Sequence, residues 1–297
     1  AGACAHLLGL DEEKTRHALA LGASEAAGLV SNFGTMTKPF HAGQAARAGL
    51  VAARLAEMGF TAAEDTLEGG FTAALAAEGI GPGVERFAHW EAAAAGWGAP
   101  WDIEEGVCVK IHPCCAMTHP GIDAMLALCE REGIRHEEVV ALGARASAMT
   151  LKILRYNQAA TGLEGKFSMP FCLSSALVDG KVGVAQFEEG SVARPEIMAL
   201  QARCEFELDA ELAARDPESE RTQIWVRMKD GREMSQVGEV ARGHINNPLE
   251  EAEFREKFME CAAVVLSDNG ARAAWEGWRD MEKLEDIGEL MPLLIGG

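Results

Sequence analysis

The chain has 297 residues, 48% of them hydrophobic, with 46 acidic against 27 basic side chains, a net charge of -19 and an isoelectric point near 4.8. That negative excess argues against nucleic acid and anionic membrane surfaces as partners, since both attract basic proteins. No apolar run approaches the ~20 residues needed to span a bilayer.

At ~150 residues per domain the length provides for two domains. No secretory signal stands at the N-terminus. Eight cysteines are scattered without the framework of a small disulfide-rich domain, which points to a reduced, cytoplasmic protein. The first residue is Ala1, and "ACAHLLGLDEEKTRHALALGAS" is already helix-periodic. A helical portion upstream of residue 1 is therefore expected.

Residues 1–105 read as helices. Leu7, Leu8, Leu19 and Leu21 have neighbours at helical spacing, and Leu10-Asp11 followed by Glu12 and Glu13 marks a helix start. The stretch 42–59 is built largely of Ala and Gly, small enough for close helix packing, and Gly59 ends it. Residues 106–247 change period. "GVCVKI" (106–111) and "EVVALGARAS" (138–147) read as strands with a helix over 119–132 between them. "RCEFELDAEL" (203–212) alternates as a half-buried strand, and "RTQIWVRM" and "EMSQVGEV" form a hairpin about Asp230-Gly231. Helix returns at 248, with Asn247 as cap and Pro248 in first position. The pattern predicts a helical bundle, 1–105 with 248–297, carrying an α+β lid domain, 106–247, that contains an antiparallel meander.

"GTMTKPFHAG" (34–43) places Lys38 and His41 at the start of a helix, where the backbone dipole is already positive and favours anions. Charge distribution bears on this. Residues 26–56 hold no acid, although chance would place about five there. Residues 106–122 and 139–163 hold none either, while they carry Lys110, His112 and His119, and Arg145, Lys152 and Arg155. Converging, such windows form a site for a small polyanion such as a di- or tricarboxylate. The alternative is buried helix and strand, from which acids are excluded anyway.

In "VKIHPCCAMTHPGIDAM" (109–125) a strand delivers Lys110, Pro113 breaks it, and Thr118, His119 and Pro120 start a helix whose N-terminus suits an anion. His112, Cys114, Cys115 and His119 have the residue types of a zinc cluster. Adjacent cysteines seldom both ligate one metal, and no second CxxC or HxxxH completes the set, so no metal is expected. A buried strand end with satisfied histidines is the plainer alternative.

Together the stretches 18–62, 109–124, "TGLEGKFSMPFCLSSALVDGKVGVAQF" (161–187) and "INNPLEEAEFREKF" (245–258) resemble the MmgE/PrpD family, in the right order over nearly the whole chain. The resemblance implies a helical domain made from both chain ends, an inserted α+β lid and a homodimer. It also implies chemistry on small polycarboxylates with neither metal nor organic cofactor, as in 2-methylcitrate dehydratase, cis-aconitate decarboxylase and iminodisuccinate epimerase. By this resemblance Lys38 and His41 match the lysine and histidine of "TKPxHxG", and Lys110 and His119 match the lysine and histidine of the second motif. Lys38 and Lys110 are expected to be catalytic, with His41, His119 and Lys166 binding substrate. The family's further Asp and His fall before residue 1. Phe171 stands where the decarboxylase branch has tyrosine, and "GLEGKFS" departs from the Arg-His form of the methylcitrate dehydratase branch.

The residue types suit dehydration beside a carboxylate. Removing a proton from carbon gives a dianionic enolate, which needs cations placed where charge develops. A lysine in a partly dry pocket can serve as base or acid. Two other classes stand beside the dehydratase. One is an epimerase or racemase of an imino- or aminodicarboxylate, and the other is a carboxylate-binding protein without catalysis.

Overall fold

A computed structural model describes residues 1–71, 95–99, 101–216 and 219–295. Its contacts divide the chain into two compact units, Ala1–Glu105 and Gly106–Gly297. The part of the expected helical region at 72–94 lies outside the described residues.

Among the described residues the first unit includes the helices α1 (Gly2–Leu7), α2 (Glu12–Ser24) and α3 (Thr37–Glu57). Asp11 caps α2 as the sequence predicts, its carboxylate accepting from the Lys14 N–H at 2.9 Å. Lys14 Nζ in turn reaches the Glu57 carbonyl at 3.3 Å, a cation at the negative end of α3. The faces between α2 and α3 are made of small residues. Ala18 and Ala20 on one helix and Ala48, Gly49, Ala52, Ala53 and Ala56 on the other are all buried. Small side chains bring the axes close, so this core depends on proximity and buries little apolar area per residue.

The second unit holds a larger core, with Ile122, Met125, Leu128, Leu142, Met169, Phe171, Leu173, Ile197 and Leu200 fully or almost fully buried. Its sheet comprises β1 (Val139–Ala146), β2 (Cys204–Leu208), β3 (Thr222–Met228) and β4 (Glu233–Gly238), in the order β2-β1-β3-β4. β3 and β4 form the predicted hairpin, with Asp230 Oδ1 accepting from the Arg232 N–H at 3.0 Å in the turn. β1 pairs antiparallel with β3 but parallel with β2, so the sheet is mixed and only part of the expected antiparallel meander is present. A parallel partner requires a crossover. Residues 147–203 supply it, with helix α5 (Met169–Asp179), buried from Met169 to Leu177, and α6 (Pro195–Gln201). Helix α4 (His119–Glu132) lies where the sequence predicts and ends on the left-handed Gly133.

Two local expectations are corrected. Residues 106–111 are not a strand: Val109 N–H donates to the Gly243 carbonyl at 2.8 Å, but no ladder follows. The helix near 248 begins at Glu251, as α7 (Glu251–Ala262), followed by α8 (Asp268–Arg279). Asn247 does not cap it, because its amide donates to the Val240 carbonyl and its side-chain oxygen accepts from Arg242. Glu250 and Glu253 cap α7 reciprocally instead. Within the second unit α7 is tied to the neighbouring loops: Lys257 Nζ donates to the Ile111 carbonyl at 3.4 Å, and Glu260 accepts from the Val184 N–H at 3.2 Å.

Candidate active site

In the first unit the site residues lie at the start of α3. Thr37 opens the helix, Lys38 and Pro39 follow, and no acid stands in the first turn. Lys38 is exposed, with its ammonium 5.8 Å from the centre of the Phe33 ring. His41 is half-buried one turn further on. Its ring lies against Gly28, where an added Cβ would come within 3.2 Å of Nδ1. Gly28 has φ +134°, so the backbone that admits the imidazole is itself one that side-chain-bearing residues rarely adopt.

In the second unit the Cys114–Cys115 peptide group joins Lys110 to the backbone of Lys166. The Cys114 carbonyl accepts from Lys110 Nζ at 3.3 Å, and the Cys115 N–H donates to the Lys166 carbonyl at 2.9 Å. The motif at 109–124 and the motif at 161–187, with residues 125–160 between them in the sequence, are thus joined. Lys110 is exposed. Lys166 is half-buried, with its ammonium 5.7 Å from the Phe187 ring centre.

His119 occupies the first position of α4 and is 2% exposed. The helix start reaches this depth because Gly238 on β4 lets it approach: a Cβ there would sit 1.9 Å from the Pro120 carbonyl oxygen. Thr118 does not cap α4. Its hydroxyl donates to the Cys115 carbonyl at 2.7 Å and lies 3.0 Å from Cys114 Sγ. With no acid in the first turn either, the positive pole of the helix dipole lies at His119, whose own N–H is bonded to the Ala116 carbonyl and which is followed by Pro120, a residue without an N–H. Among the described residues His119 Nε2 is buried without a hydrogen-bond partner, an arrangement that costs ~1–3 kcal/mol until something polar meets it.

Around this imidazole stand groups that sequence reasoning missed or set aside. His112 is buried, its ring 5.1 Å from that of His119 in an edge-on arrangement. Its Nδ1 lies 3.0 Å from the Val182 carbonyl and its Nε2 3.1 Å from Asp123 Oδ1. Asp123 is the first acid after the acid-free window and lies four residues beyond His119, one helical turn away. That spacing was a readable signal. Cys172 was not: it sits among the apolar residues of α5 and meets Cys114 only in the fold. Burial raises the Cys114 thiol, but its interactions with Cys172, with the His119 ring and with the Thr118 hydroxyl outweigh this and hold it well below the ordinary thiol range. Burial drives Cys172 the other way, well above that range, with the charge on Cys114 adding to the effect.

The third acid-free window does not contribute in the same way. Arg145 pairs with Glu207 at 3.7 Å and Arg155 lies on Tyr156, while β1 itself fills the core. Among the described residues no group of three or more His, Cys, Asp or Glu side chains is placed to hold a metal, the His112, Cys114, Cys115 and His119 set included.

Comparison with known proteins agrees with these motifs. Residues 112–282 match the MmgE/PrpD C-terminal domain and residues 1–79 match the MmgE/PrpD N-terminal domain. The chain belongs to the MmgE/PrpD family. Over its whole length it is 27% identical to the human (Homo sapiens) cis-aconitate decarboxylase, of which it covers 60%. The mouse (Mus musculus) cis-aconitate decarboxylase is 26% identical, again with 60% covered. The Aspergillus terreus cis-aconitate decarboxylase is 26% identical over 97% of this chain and 61% of its own length. The chain therefore spans about three fifths of the length of these relatives. No helix among the described residues is long and apolar enough to cross a membrane.

Proposed function

We propose that this MmgE/PrpD chain acts as a dehydratase-like carbon–oxygen lyase on a small di- or tricarboxylate, without metal or organic cofactor. The observation that carries the reading is the start of α4: an uncapped helix N-terminus, free of acids, with a buried and unpartnered His119 Nε2 beside the peptide that holds Lys110. In a protein of net charge -19 such a surface is matched to an anion. A substrate carboxylate is placed at the positive end of α4 beside His119. One lysine of the pair Lys38 and Lys110 takes the α-proton, the other stabilises the enolate and gives a proton to the β-hydroxyl, which leaves as water, and His41, His119 and Lys166 hold the remaining carboxylates.

The domain reading that accompanies this joins residues 1–105 and 248–297 in one helical domain, with residues 106–247 as lid. A homodimer accompanies this reading. The eight free thiols accord with a reducing cytoplasm. The relatives favour a second reading, decarboxylation, in which loss of carbon dioxide leaves a carbanion one carboxylate shorter, stabilised by the same cations. Epimerisation of an iminodicarboxylate would return the proton to the opposite face.

One screen separates these outcomes. The protein is incubated with citrate, 2-methylcitrate, cis-aconitate and iminodisuccinate in heavy water, and water loss, carbon dioxide and exchange at the α-carbon are followed separately. The dehydratase reading expects water loss coupled to α-proton removal, abolished in Lys110→Met. Carbon dioxide release without water loss moves the assignment to a decarboxylase, and exchange alone moves it to an epimerase. Absence of all three, together with no binding of any tricarboxylate, overturns it.

A further inference from the structure

We propose that His112, clamped between the Val182 carbonyl and the Asp123 carboxylate, is a positioning residue that sets the ring orientation of His119. A carbonyl oxygen only accepts, so the 3.0 Å contact with Val182 assigns a proton to His112 Nδ1. Nε2 then faces Asp123 Oδ1 at 3.1 Å, the second of the two polar contacts that hold the ring. The clamp is anchored in turn. Asp123 Oδ2 accepts from the Arg242 N–H at 2.8 Å, and the Arg242 guanidinium is held by Glu253 and by Asn247.

Packing alone does not fix this ring. One side of His112 forms part of the wall of a cavity of about 260 Å³, with Lys181, Lys257, Glu253 and Glu256 also on its lining. Two directional bonds therefore do what close packing does elsewhere. The ring so fixed meets His119 edge-on, with centroids 5.1 Å apart and planes at 72°. Among the described residues His119 Nε2 has no hydrogen-bond partner, and the ring's other polar neighbour is the Cys114 thiol. A neighbouring ring that is itself bonded to a carboxylate restricts the direction of the His119 imidazole by contact, as outer partners do for working histidines generally.

This inference rests on the reading of His119 as a substrate-facing group, and its test has an arm that does not. The protein is labelled with ¹⁵N-histidine, and the ring signals of His112 and His119 are assigned with His112→Gln and His119→Gln. Asp123→Asn keeps the shape of the side chain and one acceptor for Arg242, but removes the charge. The expected result is that Asp123→Asn and His112→Gln each shift the His119 ring-nitrogen resonances while the melting midpoint stays near that of the parent. With a turned-over acid in hand, kcat should fall about 10- to 100-fold, as for other outer partners of oriented imidazoles, with KM nearly unchanged. Unmoved His119 resonances in both variants overturn the proposal whatever the activity. Shifted resonances with unchanged kcat overturn the positioning role. A parent protein inert toward every acid defeats the function proposed above, and the resonances still decide whether His112 orients His119.

Discussion

Helices α3 and α4 both open with a proline near a histidine and with no acid in the first turn, yet they are held in opposite ways. At the start of α3, Lys38, Pro39 and Phe40 are exposed, and Met36 before them is 78% exposed. At the start of α4, Thr118 and His119 are buried, and the turn before them is bonded to Lys110, Lys166 and Thr118. Water and salt screen a charge at an exposed helix end, so a lysine there costs little and can wait for its ligand. A buried end has no such relief, and each polar group must find a partner or raise the energy of the fold. The buried start is therefore the more demanding of ligand geometry, and the exposed start contributes charge.

The largest effect should come from breaking the approach that buries α4. In Gly238→Ala the new Cβ meets the Pro120 carbonyl, a backbone atom that cannot swing aside. The loss should be about 3 kcal/mol or more in urea unfolding of the whole chain. A variant with unchanged stability would show that α4 is free to move off β4, and the contrast between the two helix starts would disappear.

Next come the cations. Lys110→Met and Lys38→Met keep most of the aliphatic stem and remove the charge. If each stabilises the enolate, turnover falls ~10²-fold, the cost of deleting one oxyanion donor. The comparison is sharpened by salt: raising it should erode the contribution of the exposed Lys38 in the free protein's affinity for a tricarboxylate, while leaving the His119→Gln penalty almost unchanged. His41→Asn should raise KM more than it lowers kcat, as expected of a group that clamps ground state and transition state alike. Variants of Lys110 and Lys38 with full activity would remove both from the site.

These contrasts explain what the sequence made legible. The cap at Asp11, the helix over 119–132, the strand at 139–146 and the hairpin at Asp230-Gly231 each depend on signals within a few residues. The alternation in Val107, Val109 and Ile111 has the same period as a strand, but strand formation needs a partner, and that segment has one backbone bond to Gly243. The pattern of Cys204, Phe206 and Leu208 identified a strand without telling which neighbour it takes. The parallel pairing with β1 is decided by the crossover of residues 147–203. Lys38, His41, Lys110, His119 and Lys166 were named from motifs. The burial of His119 stood only as an alternative and its contacts with His112 and Cys114 were not read, because they depend on Gly238 and Val182, distant in the sequence, while Asp123, one turn beyond His119, was legible.

A smaller effect follows from the thiol beside His119. Burial raises Cys114, but Cys172, His119 and Thr118 hold it well below the ordinary value of ~8.5. A depressed acid stabilises the fold in its ionised form. The contribution is complete above the unfolded thiol's pKa and is lost as pH falls through the folded one. Cys129 and Cys204, raised by burial to about 11 and about 12, have the opposite slope, but they are common to parent and variant. The stability difference between the parent and Cys114→Ser should therefore be widest near pH 9 and narrow steadily as the solution is acidified. A difference that widens toward acid would mean that Cys114 is a neutral thiol and that the buried start of α4 carries no such charge.

The smallest effect is expected at the exposed start, and it tests whether that end is organised at all. Gly28 lies with φ +134° against the His41 ring, where an added Cβ comes 3.2 Å from Nδ1 and 3.3 Å from Cγ. Gly28→Ala therefore carries two penalties, a strained backbone and a crowded imidazole. The ring is on a rotatable side chain and can swing away, so the steric part is small. The backbone part is about 1–2 kcal/mol if the loop is fixed, and less if the loop relaxes. Stability alone would leave those cases hard to separate, so the decisive reading is affinity. If the loop holds His41 in its binding position, Gly28→Ala should weaken tricarboxylate binding about as much as His41→Asn does, and the double variant should be no worse than either single change, as expected of two substitutions acting on one interaction. If the penalties simply add, Gly28 and His41 act independently, and the start of α3 is an unorganised cationic surface, unlike the built start of α4.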